Sequence, residues 1–396
     1  MRILISGAGI AGPTLAYWLA RRRTAEVTIV EKAPGLRTDG YMIDFWGAGF
    51  EIADRMGLVP AIRREGYQVQ RLRVVNSEGK EIAGFPVDAF AGITHGRFVS
   101  LPRSTLAGLI FEQIQGRVET IFGDSVKRIS QSDQRVQVTF EKHGTQDFDV
   151  VVGADGLHSR IRELAFGPDN QFEKYLGYKV AAFEVEGYKP RDELIYVLYT
   201  EVGQQVGRFT MRGNRTLFLF TFQDEDETGA NDERSQKAVL RKRFARSGWE
   251  CPQILEAMDS AGTFYFDRVS QIRISAESGG WARGRIVLLG DAASCVSLLA
   301  GQGTSLAMVA AYILAGEVHQ AQEDYARAFS GYEERFGPFV FKKQKAALRF
   351  AGSFAPKSEF SMFLRNQIFN LLRIGWIANL AVGRDLADHI ELPDYH

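Results

Sequence analysis

The stretch RILISGAGIAGPTLAYWLARR, from Arg2 to Arg22, sets the architecture at the start of the chain. It combines an apolar strand, a glycine turn and a helix with an apolar face. A second apolar strand, VTIVEK at 27–32, follows directly. A strand, a helix and another strand in this order predict a βαβ unit, in which the two strands lie parallel in one sheet.

The glycine turn GAGIAG, from Gly7 to Gly12, fits the pattern GxGxxG. The first glycine of this pattern allows the tight turn, the second lets backbone N–H groups approach a pyrophosphate, and the third lets the helix pack on the strand. Glu31 ends the second strand about 20 residues further on, where a carboxylate can accept both ribose hydroxyls. The pattern predicts a dinucleotide site, with a purely structural glycine turn as the alternative.

The composition excludes several classes of protein. Lys+Arg and Asp+Glu number 48 each in 396 residues, so no net charge favours nucleic acid or an anionic membrane. The six histidines and two cysteines follow no metal-binding spacing, so we expect no metal site. With two distant cysteines, no signal-like segment and no run of about 18 apolar residues, we expect a cytoplasmic protein without disulfides.

The pattern of apolar, aromatic and glycine residues changes along the chain. Aromatic strands dominate from about 172 to 280, and a nucleotide-domain pattern returns at GRIVLLGDAAS. This order predicts an α/β fold with a Rossmann-like nucleotide-binding domain, an inserted mixed β-sheet substrate domain and a helical C-terminus. The predicted boundaries are 1–70, 100–170 and 282–350 for the nucleotide domain, 71–99 and 171–281 for the substrate domain, and 351–396 for a C-terminal helix packing over the core. Locally, we expect a loop at 34–50, strands within 71–90 and 118–150, and helices at about 50–65, 103–116 and 233–247.

Two further turns combine an aspartate with glycines after an apolar strand. GADGLHSRIR carries Asp155, and GDAASCVSLLAGQG carries Asp291 and leads into an apolar helix near Thr304. Taken in isolation, the turn around Asp155 is best interpreted as a strand-to-helix turn in which Asp155 caps the helix, and Asp291 could be a helix cap in the same way. A helix N-terminus flanked by glycines, as here by Gly301 and Gly303, can instead hold an anionic or carbonyl oxygen.

Together, the three motifs resemble those of the FAD-dependent monooxygenases of the aromatic-hydroxylase class, and within it the tetracycline-inactivating and polyketide-tailoring enzymes. The similarity covers essentially the full length. LPRSTL, with Arg103, and LRTDGYMID, with Arg37 and Asp44, resemble two further segments of that class. The chain departs from the class at Ser294, where His or Tyr is usual, and at Leu298, where Pro is frequent.

The resemblance implies a set of FAD-binding residues. Glu31 would hold the adenosine ribose, Asp291 the ribityl chain, and the turn before Thr304 the pyrimidine oxygen of the flavin. Arg103 would contact the flavin, Asp44 would face it, and Arg37 would help to bind the nicotinamide nucleotide. The full predicted set is Gly7, Gly9, Ala11, Gly12, Glu31, Lys32, Arg37, Asp44, Arg103, Val126, Asp155, Gly290, Asp291, Gly301, Gly303 and Thr304.

Candidate substrate contacts come from the aromatic strands. Strand alternation places Phe209 and Met211 on one face, and Phe218, Phe220 and Phe222 together on one face of another strand. We predict that Phe209, Met211, Phe220 and Leu298 contact the substrate, although both aromatic sets are also typical of sheet core.

The implied reaction uses FAD, NADPH or NADH, and O2. Reduced flavin would take up O2 as a C4a-hydroperoxide and hydroxylate an aromatic or polycyclic, polyketide-like small molecule. No side chain stands out as an acid or base, in line with chemistry carried by the flavin. The alternatives are a reductase, a halogenase, or a flavin-binding scaffold without turnover; the sequence contains no Trp-x-Trp pair, which argues against a halogenase. We expect a monomer or homodimer that binds no nucleic acid.

Two features have competing interpretations. We interpret Cys295 as a small packing residue rather than a nucleophile, because the sequence shows no basic partner for its thiol. The C-terminal stretch 360–384 carries Arg365, Arg373 and Arg384 and no acidic residue. We expect it to pack over the core, with a helix on a membrane surface as the alternative.

Overall fold

The computed structural model describes residues 1–37, 41–90, 94, 96–227, 232–275, 278–372 and 390–395. The strands in these ranges are β1 Arg2–Ser6, β2 Glu26–Glu31, β3 Met42–Trp46, β4 Arg71–Val75, β5 Glu81–Pro86, β6 Phe98–Pro102, β7 Glu119–Phe122, β8 Val126–Gln131, β9 Val136–Phe140, β10 Thr145–Phe148, β11 Val150–Gly153, β12 Glu173–Glu186, β13 Ile195–Glu201, β14 Gln204–Thr210, β15 Arg215–Gln223, β16 Phe264–Ile272, β17 Ala282–Arg283 and β18 Ile286–Leu288. The α-helices are α1 Ala11–Arg21, α2 Ala48–Arg55, α3 Val59–Glu65, α4 Arg103–Glu112, α5 Arg160–Phe166, α6 Glu233–Phe244, α7 Cys251–Ala257, α8 Asp291–Ser294, α9 Gly303–Ala321, α10 Tyr325–Phe354 and α11 Glu359–Leu371.

A six-stranded sheet in the order β17-β18-β11-β1-β2-β7 forms the centre of the nucleotide domain. Its neighbouring strands are parallel except for the β17–β18 pair. The β1 side chains are buried from Ile3 onward, as is typical of a parallel strand covered on both faces. The helices α1 and α9 pack together through Trp18 and Tyr312, whose ring centroids lie 5.0 Å apart. The predicted βαβ start and Rossmann-like α/β fold are confirmed.

A seven-stranded sheet in the order β16-β12-β15-β14-β13-β4-β5 forms the inserted domain. It is mixed, because β13 pairs with β4 in parallel and with β14 antiparallel. One face packs on α6 and α7, where the rings of Phe220 and Phe244 lie 4.9 Å apart. The other face turns toward the nucleotide domain. The strand pairs β4–β5 and β9–β10 are antiparallel hairpins within the regions 71–90 and 118–150, where strands were predicted.

Several local predictions need correction. The predicted loop at 34–50 contains β3, which pairs with β6, and the start of α2. The predicted helix at 50–65 is two helices, because the chain turns at Gly57, whose φ is +74°. The helix predicted at 103–116 ends at Glu112.

The C-terminal region also differs from the predicted boundaries. Residue 350 lies inside α10, which continues to Phe354. The following helix α11 packs against β5, where the rings of Phe85 and Phe369 lie 5.3 Å apart, and its Arg365 is buried. Arg373 and Arg384 lie outside the described residues. Within the described ranges, no helix has both the length and the apolarity that crossing a bilayer requires.

Candidate functional site

A cavity of about 350 Å³ opens where the nucleotide domain faces the inserted sheet. Its walls come from the carboxyl ends of β1, β2 and β11, from the loop between α8 and α9, and from Leu219 and Tyr265 of the inserted sheet. Ligands of open α/β sheets bind at this end of the strands. Most of the predicted residues line the cavity: Gly7, Gly9, Ala11, Glu31, Lys32, Arg37, Asp44, Arg103, Asp155, Asp291, Leu298, Gly301, Gly303 and Thr304.

Close backbone packing shapes the glycine turn after β1. Gly7 has a φ of +111°, and a Cβ there would lie 2.4 Å from the Ala154 carbonyl oxygen. A Cβ at Gly12 would lie 2.0 Å from the Gly7 carbonyl oxygen. The nearest atom to a Cβ at Gly9 would be Arg103 Nη2, at 3.7 Å. The first and third glycines therefore allow the fold of the turn, whereas the second leaves room on the cavity side.

Glu31 joins the glycine turn to the end of β2. Its Oε2 accepts a hydrogen bond from the Ala8 N–H at 2.9 Å, and its Oε1 accepts one from the Ala33 N–H at 3.0 Å. A carboxylate has about four acceptor positions, so both oxygens can accept further hydrogen bonds. Glu31 thus holds the turn and also presents an acceptor to the cavity.

Asp155 follows β11 and lies beside the start of α5, whose N-cap residue is Ser159. Its Oδ1 accepts from Ser159 Oγ at 2.5 Å, and its Oδ2 accepts from the Ile161 N–H at 3.1 Å. Burial raises the pKa of Asp155, while these hydrogen bonds lower it. The residue lines the cavity, and it supports the first turn of α5 through Ile161 and Ser159, although the cap that the sequence suggested at Asp155 is formed by Ser159 itself.

Asp291 and Arg103 both line the cavity. Burial raises the pKa of Asp291, whereas the Arg103 charge and a hydrogen bond from the Cys295 thiol lower it. Burial, with a contribution from Asp291, raises the pKa of the Cys295 thiol well above its usual range. Cys295 therefore remains a thiol at neutral pH, which supports the packing interpretation over a nucleophile. Burial also raises the pKa of the neighbouring Tyr41 to about 12.

The loop between α8 and α9 is strained and firmly held. Ser297 has a φ of +141°, which side-chain-bearing residues rarely adopt. Gln271 Nε2 donates to the Val296 carbonyl at 2.7 Å, and Gln344 Nε2 donates to the Cys295 carbonyl at 3.1 Å. The helix α9 begins at Gly303, directly after this loop, so its positive end borders the cavity.

Asp44 lines the cavity from β3. Its Oδ1 accepts from Ser100 Oγ at 2.5 Å and from the Tyr196 hydroxyl at 3.3 Å. Burial by the surrounding protein raises the pKa of Asp44, although these two hydroxyls lower it. The Tyr196 ring packs on Phe209, with centroids 4.6 Å apart.

Basic side chains lie at the exposed side of the cavity. Arg37, His158, Arg160 and Arg268 line it, and all are at least partly exposed. His158 Nε2 lies 3.1 Å from Asp267 Oδ1, and this hydrogen bond is the main reason that the pKa of His158 is raised. Arg160 and Arg268 also pair with Glu163 at 2.6 Å and Glu173 at 2.9 Å, so carboxylates already balance most of the basic groups in this region.

A neighbouring group brings three potential metal ligands together within the described part of the chain. The side-chain ligand atoms of His158, Asp169 and Glu173 lie within 4.8 Å of one another. However, Arg162 pairs with Asp169 at 2.7 Å, and Arg268 pairs with Glu173 at 2.9 Å. Ion pairing accounts for this cluster without a metal.

Three predicted cofactor residues lie behind the cavity wall. Gly12 and Gly290 serve close packing, since a Cβ at Gly290 would lie 3.1 Å from the Ala11 Cβ. The Val126 side chain is buried in the core as the first residue of β8, and Asp124 and Ser125 line the cavity instead.

The aromatic substrate predictions also need correction. Phe220 lies on the opposite face of β15, between Phe183 and Phe244, and Leu219 lines the cavity in its place. A shift of one residue reverses the face of a strand, and the sequence did not identify which face α6 and α7 cover. Phe209 and Met211 lie on the cavity side of the sheet but are buried in a cluster behind Tyr196. Of the four predictions, only Leu298 lines the cavity.

Sequence reasoning missed several residues that line the cavity. Tyr41 and His158 each lie within three positions of a predicted residue and line the cavity. Extending each motif by a few residues would therefore have identified them. Tyr265 and Asp267 lie on β16, which no motif marks. Only the pairing of β16 with β12 brings them to the cavity.

Comparison with known proteins gives consistent matches. Residues 1–327 match the family model described as FAD binding domain. An uncharacterized protein of Mycobacterium tuberculosis is 38% identical over 347 residues, which cover 86% of this chain and 91% of that protein. A flavin-dependent monooxygenase of Legionella longbeachae is 32% identical over 405 residues, which cover 100% of this chain and 98% of that protein. The crystal structure of tetracycline destructase Tet(51) matches with a TM-score of 0.83 and 32% identity, covering 100% of this chain and 99% of that one.

Proposed function

The chain belongs to the flavin-dependent monooxygenases that carry this FAD-binding domain, and we propose that it uses NADPH or NADH and O2 to hydroxylate an aromatic or polycyclic small molecule. The observation that carries the proposal is the single cavity shared by Glu31, Asp291 and the start of α9. These groups come from two distant parts of the chain, the end of β2 and the segment from Asp291 to the start of α9, and they would suit the adenosine ribose, the ribityl chain and the ring of a flavin dinucleotide.

The cavity residues fit FAD on chemical grounds. The space beside Gly9 and the start of α1 suit a pyrophosphate, because backbone N–H groups and the helix dipole favour an anion there. Glu31 would accept hydrogen bonds from the ribose hydroxyls. Asp291 would accept hydrogen bonds from the ribityl hydroxyls, which would compensate for burial of its carboxyl.

The protein groups around the flavin ring would orient it and stabilise negative charge. The N-terminus of α9 at Gly303 and Thr304 would face the pyrimidine side, where charge accumulates on reduction. Arg103 would neutralise Asp291 and contact the ring edge. When bound, FAD supplies the redox chemistry and transfers one oxygen atom of O2 to the substrate.

The basic groups at the exposed side would bind the nicotinamide nucleotide. Arg37 would supply positive charge next to the cavity, where a guanidinium can hold a phosphate through two parallel hydrogen bonds. His158 and Arg268 would have to share their present carboxylate partners, Asp267 and Glu173, with the nucleotide. Leu219 and Leu298 would form an apolar wall for a flat substrate. Ser294, one of the two departures from the class, is buried outside the cavity lining, so its effect on substrate contact is indirect.

The proposal is tested on the purified protein. We expect a yellow protein with non-covalent FAD, and NADPH oxidation that rises when a substrate from a phenolic and polyketide panel is added. The product mass should increase by one oxygen atom. FMN in place of FAD, or no flavin after reconstitution, would contradict the family role. Flavin retention with a reduced or chlorinated product would instead indicate a reductase or halogenase.

A further inference from the structure

The helix α11 leaves one apolar face uncovered. Its residues Phe360, Phe363, Leu364, Ile368 and Leu371 are exposed, and Phe360 and Phe363 are 74% and 59% accessible to solvent. The i, i+3, i+4, i+8 spacing of these residues places them on one side of a helix. Within the described part of the chain, five of the eight exposed large apolar side chains lie on this face, which we call the α11 face.

The other side of α11 is packed on the protein and fixes the direction of the α11 face. Phe369 lies against Phe85 of β5, and Arg365 is buried. Just before the helix, the Pro356 carbonyl accepts a hydrogen bond from the Gly203 N–H at 2.8 Å. The helix is therefore held near both ends, with the α11 face directed outward. Apolar side chains exposed together in this way mark an interaction site.

The size of the α11 face favours a lipid surface over a protein partner. The helix has 13 residues, so its exposed face is about 20 Å long and, at one helix width, covers roughly 200–300 Å². A stable interface between proteins buries about 800 Å² on each partner. A second copy of the chain docked through this face alone would bury too little area, whereas an amphipathic helix of this size can lie in the surface of a bilayer.

Basic side chains flank the start of the α11 face. Lys357 directly precedes the helix. Arg243 Nη2 donates at 3.4 Å to the carbonyl of Gly203, the residue that contacts Pro356. Arg246 lies three residues further along, and all three basic side chains are exposed. Positive charge at the edge of an apolar face suits the phosphate groups of anionic lipids.

Acidic side chains at this end reduce the positive charge without cancelling it. Glu359, in the first turn of α11, is exposed and offsets one of the three basic charges. The acidic segment 224–227 follows β15 and turns toward β12, where Asp224 pairs with Lys179 at 2.9 Å. In contrast, α11 runs the other way across the sheet, from β14 to β5.

We propose that the α11 face binds the surface of a lipid bilayer that contains anionic lipids, with its apolar side chains in the interfacial layer and the three basic side chains at the lipid phosphates. The cavity lies close to this face, because Ala355, just before α11, belongs to the same hydrophobic cluster as Leu219 and Leu298 of the cavity wall. A bilayer concentrates apolar compounds, so a protein docked in this way would take an apolar substrate from the lipid phase. The docking itself does not depend on the reaction that the protein catalyses.

Co-flotation of the FAD-loaded full chain with lipid vesicles tests the proposal. We expect binding to vesicles of phosphatidylcholine and phosphatidylglycerol, and weaker binding to phosphatidylcholine alone. Changing Phe360→Ser and Phe363→Ser together removes two exposed rings and should weaken binding at least about tenfold. Changing Arg243→Gln and Arg246→Gln together should weaken binding to the anionic vesicles roughly 30-fold and leave binding to phosphatidylcholine unchanged.

A matched control and a fluorescent label locate the contact. Ile82→Ser with Leu348→Ser changes two exposed apolar residues outside the α11 face and should leave binding at the wild-type value. Both cysteines are buried, so an environment-sensitive maleimide dye reacts selectively with a protein carrying Leu364→Cys. Its emission should shift to shorter wavelength on addition of the anionic vesicles, whereas the same dye at Leu348→Cys should not respond.

The outcomes distinguish a bilayer from other occupants of the α11 face. No flotation of the wild type with anionic vesicles, or flotation that Phe360→Ser with Phe363→Ser leaves unchanged, would overturn the proposal. A dimer in gel filtration that the same double variant dissociates would assign the face to a second copy, and a monomer that binds no lipid would show that the rest of the chain covers it. The FAD content and NADPH oxidation of the same samples report on the proposed function separately.

Discussion

The buried carboxyl group of Asp291 can accept hydrogen bonds from a ligand, but its burial lowers the stability of the ligand-free protein at neutral pH. Because burial raises its pKa, the folded protein holds this proton more tightly than the unfolded chain does. The resulting stabilisation is fully present below the ordinary pKa of an aspartate and is lost as the pH rises through the raised value. At neutral pH the ionised carboxylate therefore opposes folding of the ligand-free protein.

Asp291→Asn should separate stability from binding. The flavin-free variant should melt at a higher temperature than the flavin-free wild type at neutral pH, and this difference should vanish below the ordinary pKa of an aspartate. FAD should nevertheless be lost on purification, because the carboxylate acceptor is gone. Thermal melts with and without added FAD measure both effects. A variant with a lower melting temperature and full stabilisation by FAD would show that Asp291 is only a helix cap.

Glu31 should affect both the turn and the cofactor. Glu31→Ala removes the acceptor for the Ala8 and Ala33 N–H groups as well as the proposed ribose contacts. We expect FAD affinity to fall by roughly 1.5–3 kcal/mol, the range for hydrogen bonds to a charged group. Equilibrium dialysis of FAD gives the affinity, and Glu31→Gln, which keeps acceptor oxygen but no charge, is the matched control. Unchanged FAD affinity in Glu31→Ala would leave Glu31 with a structural role alone.

For single residues, the sequence predicted a position in the cavity where a local motif fixes that position. Gly7 and Glu31 are such residues, because a turn and a strand end fix their positions within one βαβ unit. Val126 was predicted to contact FAD from the resemblance alone; its side chain lies in the core, and the neighbouring Asp124 and Ser125 line the cavity. Asp267 was missed because it lies on β16 of the seven-stranded sheet while His158 follows β11 of the six-stranded sheet, so no local pattern connects them.

The strand β15 shows why an element can be predicted without its orientation. Its alternation of Phe218, Phe220 and Phe222 with Leu217, Leu219 and Thr221 was evident in the sequence. Both sets are apolar enough to be buried, so the pattern did not decide which one faces α6 and α7. The helices resolve the question by covering the phenylalanine side.

This orientation predicts different effects for adjacent residues of β15. Phe220→Ala should destabilise the protein by about 3–5 kcal/mol, because it leaves a void between the sheet and α6. Leu219→Ala should cost less stability and should enlarge the cavity, so it should alter substrate preference. Denaturant unfolding and activity on the substrate panel measure the two effects. A larger stability loss at Leu219 than at Phe220 would contradict the orientation of β15.

At the scale of the whole molecule, the helix α9 connects the cavity to the end of the described chain. Its first residues, Gly303 and Thr304, line the cavity, and Gly316 and Glu317 near its other end contact residues 390–395. The α/β fold and the inserted sheet could be predicted from the order in which the strand, helix and glycine patterns occur in the sequence. The return of residues 390–395 to α9 was not predictable, because no pattern in IELPDY indicates which surface this segment contacts.

Tyr395 should anchor this segment without influencing the cofactor. Its hydroxyl donates to Glu317 Oε1 at 2.6 Å, Arg22 Nη2 donates to its carbonyl at 3.0 Å, and its ring lies where a Cβ on Gly316 would be, at 2.2 Å. Tyr395→Ala should therefore destabilise the protein by about 3–5 kcal/mol, the range for removing a buried aromatic ring. Gly316→Ala should reproduce part of this loss by displacing the ring, while Tyr395→Phe should cost only about 1.5–3 kcal/mol for the lost bond to a carboxylate.

The affinity for FAD should stay at the wild-type value, because Gly316 is 13 residues from Gly303, which is about 20 Å along the helix. Thermal melts and FAD dialysis on the same samples measure both quantities. A loss of FAD affinity that parallels the loss of stability in all three variants would show that the C-terminal segment and the cavity are coupled through α9.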